Sequence, residues 1–103
     1  MDAFAAIAEP TRREILDRLR GGDSDVTGLV RTLRMPQPLV SKHLRVLREC
    51  GAVTASTVAQ RRVYRLAHDP LPEVLAWVEP YHAAWAASLE QLERALADDQ
   101  ERG

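Results

Sequence analysis

The sequence predicts a mainly α fold with one small β-hairpin and a long C-terminal helix. Three observations carry that prediction. Apolar residues recur at spacings of three and four in short segments before residue 50, and prolines and a diglycine separate those segments. The only stretch rich in Val, Thr and Tyr lies between residues 53 and 66. Beyond Pro72 the three-and-four spacing returns and runs to Leu96.

Ala3 to Ala8 is a short apolar stretch with Phe4 and Ile7 three apart. Pro10 then opens a second helix, on which Ile15, Leu16 and Leu19 share a face, and Gly21-Gly22 ends it. Asp23, Ser24 and Asp25 offer N-cap oxygens to a third helix, whose Val26, Leu29, Val30 and Leu33 follow i, i+3, i+4, i+7 spacing. Arg34 to Pro38 holds two prolines within three residues, which suits a turn followed by a helix start. A fourth helix, from Gln37 to about Glu49, carries Val40, Leu44 and Leu47 on one stripe and stops at Gly51.

Two strands follow, Val53 to Thr57 and Arg62 to Leu66. Val53 and Ala55 share a face of the first, Tyr64 and Leu66 a face of the second. The connection from Val58 to Arg61 lacks the Gly, Asn or Asp that a two-residue hairpin loop usually needs. In the last helix Leu75, Val78, His82, Trp85, Leu89, Leu92 and Leu96 form a seam of the coiled-coil type. Pro80 falls inside it, so a kink near Ala76 to Pro80, or a break there, is expected.

At 103 residues the chain fits one domain, 1–103, with its central body over about 10–67 and about 2–8 and 70–97 left for self-association. Its 28% charged and 46% hydrophobic content is that of a folded soluble protein. The amino terminus lacks a signal-peptide layout, and no apolar run approaches the roughly 20 residues of a membrane span. A cytoplasmic protein with no membrane partner is expected. A single cysteine, Cys50, excludes an internal disulfide and any multi-cysteine zinc site within the chain. No Gly-rich phosphate loop appears and no nucleophile stands beside a base, so the chain does not read as an enzyme.

The net charge of −1 conceals a strong polarity along the chain. Residues 1–30 come to −2, with four Arg against six acids, and residues 66–103 to −6, with two Arg against eight acids. Between them, over residues 31–65, eight Lys and Arg face the single acid Glu49, a local charge of +7. Such a segment suits a polyanion, although a merely solvated basic face reads the same way.

Helix, helix, helix, turn, helix, hairpin, long helix is the order of a winged helix-turn-helix. Packing the stripes of the third and fourth helices together leaves the outer face of the fourth free to enter a groove about 12 Å wide. On that face lie Gln37, Pro38, Ser41, Lys42, Arg45 and Arg48. Double-stranded DNA is the expected partner.

The chain resembles the ArsR-type (arsenic-repressor-like) bacterial regulators over almost its whole length. The resemblance rests on IAEPTRREILDRL from Ile7 to Leu19, MPQPLVSKHLRVLRECGAV from Met35 to Val53, and RRVYRL from Arg61 to Leu66. The segment from Pro70 to Leu96, with EPYHAAW inside it, resembles the branch whose C-terminal helix dimerises. The resemblance implies a symmetric homodimer that binds a palindromic operator and represses. It places base reading and phosphate holding on Gln37, Ser41, Lys42, His43 and Arg45, with a wing contribution from Arg61 and Arg62. Gln suits adenine and Lys or Arg suit guanine. Arg48 reads as a phosphate contact or a solvated residue. The dimer interface is expected at Phe4, Ile7, Leu75, Val78, His82, Trp85, Leu89, Leu92 and Leu96.

Two departures stand out. The wing tip reads Thr57, Val58, Ala59, Gln60, where similar regulators carry a glycine. The Cys-x-Cys pair of soft-metal sensors is absent, since the third-helix region reads Asp25, Val26, Thr27, Gly28, Leu29, so the non-metal-sensing branch is expected, with no cofactor.

Several side chains admit two readings. His43 is a DNA contact or a hydrogen-bonded residue at the core edge. Glu79 and His82, three apart, could join a metal site across a dimer, but a hydrogen-bonded interface histidine is the preferred reading. Cys50 reads as a structural thiol rather than a redox switch. Trp77, Tyr81 and Trp85 read as core or interface rather than as the lining of an effector pocket. A small-molecule effector therefore stays unassigned. A ligand-gated sensor of the same fold, and a protein-interaction module built on the acidic last helix, stand as alternatives.

Overall fold

A computed structural model describes residues 1–102; the expected domain extends to Gly103, which lies outside them. Eight elements follow in the order α1 (Ala3–Ala8), α2 (Pro10–Arg20), β1 (Ser24–Asp25), α3 (Val26–Leu33), α4 (Gln37–Glu49), β2 (Val53–Val58), β3 (Arg61–Leu66) and α5 (Pro72–Arg102). By contacts they divide into two units, Met1–Pro72 and the helix from Glu73 onward.

Short-range chemistry sets the helix ends. Asp2 caps α1 by accepting the N–H of Ala5 at 2.8 Å. Glu9 alone separates α1 from α2; it turns the chain out of the first helix and caps the second, accepting the Arg12 N–H at 3.0 Å. Helices leave the carbonyls of their last turn short of partners. Two neighbouring arginines meet that need in α1, Arg12 donating to Ala5 and Ala6 and Arg13 to Ile7 and Ala8.

Asp25 is the N-cap of α3, its Oδ1 accepting from the Gly28 N–H at 2.8 Å. Ser24 and Asp25 are also a strand, pairing with Tyr64 and Val63, so the expected two-stranded hairpin is a three-stranded antiparallel sheet in the order β1-β3-β2. A two-residue strand has no periodicity to read, which is why capping was the only signal there. At the far end of α3, Arg34 turns the chain in the left-handed conformation, with φ 54° and its N–H on the Val30 carbonyl. Past α4 the chain reverses at Gly51, φ +85°, with Gly51 N–H on Arg48 and Ala52 N–H on Leu47. Those two bonds make a Schellman stop.

In the hairpin, Val53 and Ala55 pair with Leu66 and Tyr64, so all four side chains share one side of the sheet. Pairing continues to Val58 and Arg61, which leaves a loop of two residues. Ala59 and Gln60 take φ of 49° and 68°, the primed-turn conformation that the sequence does not signal. The core draws Ile15 and Leu19 from α2, Leu29 from α3, Val40, Leu44 and Leu47 from α4, and Ala52, Val53 and Tyr64 from the hairpin and its entry. Fully burying each of the larger side chains contributes about 1.5–3 kcal/mol.

The last helix runs unbroken for 31 residues with Pro80 inside, so of the two expectations at Pro80, a kink or a break, the break is absent. A proline deletes one bond of the ladder, and on a helix this long the turns on either side persist. No helix of the described residues is long and apolar enough to cross a membrane.

Candidate nucleic-acid interface

Four side chains of α4 are buried, Val40, His43, Leu44 and Leu47. That burial fixes which face is free. Gln37, Pro38, Ser41, Lys42, Arg45 and Arg48 are all exposed, and Pro38, Ser41, Lys42 and Arg45 line one shallow depression along the helix. Arg45 lies 3.9 Å from Glu49 one turn on, a solvent-exposed pair of little energetic weight.

The wing is braced rather than free. Arg61 pairs with Asp25 at 3.5 Å and Arg65 with Asp23 at 3.6 Å, tying β3 to the entry of α3. Arg62 donates through Nε to the Tyr64 hydroxyl at 3.0 Å and lies 5.7 Å from the centre of that ring. A concavity of about 300 Å³ joins the wing root to the start of α4, lined by Asp25, Val26, Thr27, Gln37, Gln60, Arg61 and Arg62. Thr27, from the first turn of α3, was not anticipated there and carries no sequence signal; Gln60 comes beside it from the wing turn that the hairpin register sets.

His43 is not part of the exposed face. Its side chain is 11% exposed and lies between Arg12 Nη1, 3.3 Å from Nδ1, and Glu9 Oε2, 3.9 Å from the same atom. The helical phase explains the placement, since residue 43 sits with Val40, Leu44 and Leu47. The geometry is that of the core-edge reading. For Glu9, burial pushes the carboxyl pKa up, but the Arg12 N–H bond, the charge of His43, the Thr11 N–H bond and the charge of Arg12 outweigh it and hold the pKa below its ordinary 4.5.

Of the side chains expected at a dimer interface, Phe4, Leu75, Val78, His82, Trp85, Leu89, Leu92 and Leu96 are exposed. Ile7 is half-buried and lines an apolar hollow of about 290 Å³ with Arg13, Leu16, Asp17 and Leu71. Trp77 and Tyr81 pack ring on ring at 5.2 Å. Cys50 is half-buried and donates its thiol hydrogen to the Leu47 carbonyl at 3.3 Å. Among the described residues no group of three or more His, Cys, Asp or Glu side chains could hold a metal ion.

Three helices, a tight turn into an exposed polar helix, and a braced hairpin define a winged helix-turn-helix module of the transcription-regulator type. The sequence pattern of the family described as bacterial regulatory protein, arsR family, matches residues 9–55. The transcriptional repressor SdpR of Bacillus subtilis is 31% identical over 77 residues, covering 75% of this chain and 86% of that protein. The HTH-type transcriptional repressor SmtB of Mycobacterium tuberculosis is 40% identical over 74 residues, covering 72% of this chain. The matched region spans only about half of SmtB, 55% of its length. Among solved structures, an ArsR-like regulator from Rhodococcus sp. RHA1 superposes with TM-score 0.67 at 30% identity, covering 88% of this chain and 86% of that one. A homodimeric winged helix-turn-helix DNA-binding domain from Mycobacterium bovis superposes with TM-score 0.63 at 28% identity, covering 87% and 78%. The chain belongs to the arsR family of bacterial regulatory proteins.

Proposed function

We propose that this chain is a homodimeric repressor that lays the exposed face of α4 into the major groove of a palindromic operator. The observation that carries the reading is the sorting of α4 itself: its apolar stripe is buried while Gln37, Ser41, Lys42, Arg45 and Arg48 face outward. Gln37, Lys42 and Arg45 are assigned to base edges, Ser41 to a phosphate or base edge, and Arg48 to phosphate. Pro38 lies in the first turn of the helix and packs against the groove wall. Arg61 and Arg62 touch flanking DNA from the wing, with Gln60 beside them.

The second copy joins through α5, whose seam leaves Leu75, Val78, Trp85, Leu89, Leu92 and Leu96 exposed in the single chain, aided by Phe4 and Ile7 of α1. His82 lies within that seam. The relatives support this reading by their names as transcriptional repressors, and the Mycobacterium bovis domain by its homodimeric state. They lend nothing to a protein-interaction module. A cytoplasmic location follows from a DNA target.

Selection of bound duplexes from a random pool tests the whole reading. The expected product is an inverted repeat with half-site centres about 10–10.5 base pairs apart, or a multiple of that spacing. A pool that shows no enrichment at moderate salt overturns it.

A further inference from the structure

Arg12 and His43 lie outside the exposed face, yet they connect it to α1. Arg12 is 9% exposed, and burying a guanidinium is costly unless its donors are used. They are used: its side chain donates to the carbonyls of Ala5 and Ala6, points to the Met1 sulfur, and reaches His43 on α4. A guanidinium can only donate, so Nδ1 of His43 must be the acceptor, and the neutral ring carries its proton on Nε2. Protonation removes that acceptor. An imidazolium at this site would set two donors against each other, while Glu9 Oε2 stands 3.9 Å from the same nitrogen on the other side.

We infer that His43 is a proton-operated positioning residue: neutral, it accepts from Arg12 and holds α4 against α1 and α2; protonated, it leaves Arg12 for Glu9 and loosens the DNA-reading helix. The charged groups facing the ring are few. Arg12 and Glu9 come from α2 and its cap, the end of α1 meets the cluster with the carbonyls of Ala5 and Ala6, and Met1, which carries the amino terminus, meets Arg12 with its sulfur. On α4 the turn neighbours Leu39, Val40, Val46 and Leu47 are apolar. From α3 the one charged side chain, Arg31, is exposed, and β2 has no ionisable side chain.

The inference rests on the DNA-binding reading for its consequence but not for its mechanism, and two measurements separate them. Nitrogen chemical shifts of the imidazole in the free protein report the tautomer directly. At about pH 8 the proton is expected on Nε2, and a ring protonated on Nδ1 overturns the exchange whether or not DNA binds. The second measurement is the pH profile of affinity for the selected duplex, by fluorescence anisotropy between about pH 8 and about pH 5.5, where an imidazole titrates. Affinity of the unaltered protein should fall by about tenfold across that range. His43→Asn places a non-titrating carbonyl oxygen near the Nδ1 position and should bind with a flat profile at the high-pH level. Glu9→Gln keeps the neutral arrangement and removes the anionic partner, so its profile should be shallower. An equal pH fall in His43→Asn and the unaltered protein places the titrating group elsewhere and overturns the inference. Failure to bind at every pH overturns the proposed function and leaves the tautomer result to decide the exchange.

Discussion

The guanidinium of Arg12 stands 3.3 Å from Nδ1 of His43 while its other donors hold the carbonyls of Ala5 and Ala6. One side chain on α2 thus joins the end of α1 to the inner face of α4. Arg12→Ala leaves two buried acceptors and one part-buried acceptor without their donor and should lower stability by about 2–4 kcal/mol, read as a shift in the urea midpoint at constant slope. Arg12→Lys should recover little, because a single ammonium cannot span the same fork. Arg13→Ala, whose bonds to Ile7 and Ala8 are exposed, should cost under about 1 kcal/mol. Equal losses at the two positions would contradict this division of labour.

Glu9 gives the acid side of stability a predictable sign. Its carboxyl titrates below 4.5 in the folded chain, against about its ordinary value when unfolded. A depressed folded value stabilises the native state above the unfolded pKa, and that contribution disappears as pH falls through the folded one. Glu9→Gln retains an oxygen to cap α2 but removes the charge. Thermal melts should therefore show the variant less stable near neutrality, with the gap closing below about pH 4. A gap that widens on acidification would reverse the assignment.

Three residues without glycine's freedom sit at positive φ: Arg34 at the turn into α4, and Ala59 and Gln60 at the wing tip. For a side chain with a Cβ this conformation costs about 1 kcal/mol. Ala59→Gly and Gln60→Gly should each stabilise the chain by about 0.5–1 kcal/mol in chemical denaturation, the relief exceeding the extra freedom of the unfolded glycine. Gln60→Gly also removes the side chain that lines the cleft with Gln37, so it should weaken duplex binding as it stabilises the fold. Stabilisation with unchanged binding would take Gln60 out of the interface.

On α4, base reading and phosphate holding differ in their salt and sequence dependence. Arg45→Ala should cost about 1–3 kcal/mol on the selected duplex and relax the preference at one base pair. Arg48→Ala should weaken all duplexes alike and reduce the log–log salt slope by about one. Exchanged phenotypes would exchange the two roles.

Most of the helical framework was legible because each helix has local punctuation: Pro10, the Gly21-Gly22 pair, Asp25, Pro36 and Gly51 all mark boundaries that the structure keeps. The outward face of α4 was legible for the same reason, as the complement of Val40, Leu44 and Leu47. What was hidden is long-range or irregular. The strand at Ser24–Asp25 exists only through pairing with β3, and the two-residue wing turn is imposed by strand register on residues that do not favour it. The buried side of His43 was open in the sequence, because the ring's partners come from residues 31 and 34 positions earlier. Pro80 admitted a kink or a break, and local sequence does not choose between them: a breaker in a short helix is a boundary, whereas in α5 it is one missing bond in 31 residues.

The seam of α5 gives the last prediction. Leu89 is 41% exposed in the isolated chain, midway along a row that includes Trp85 and Leu92. If two copies meet there, a carboxylate at its centre is forced beside its own symmetry mate in an apolar setting, and burying such a pair costs several kcal/mol. Leu89→Glu should therefore sediment at half the mass of the unaltered protein while keeping the circular dichroism of its helices, because the core of residues 1–72 contains no part of the seam. Duplex binding should fall far more steeply than for any single change on α4, since losing the dimer separates the two half-site contacts. A variant that stays dimeric would move the interface off this face of α5.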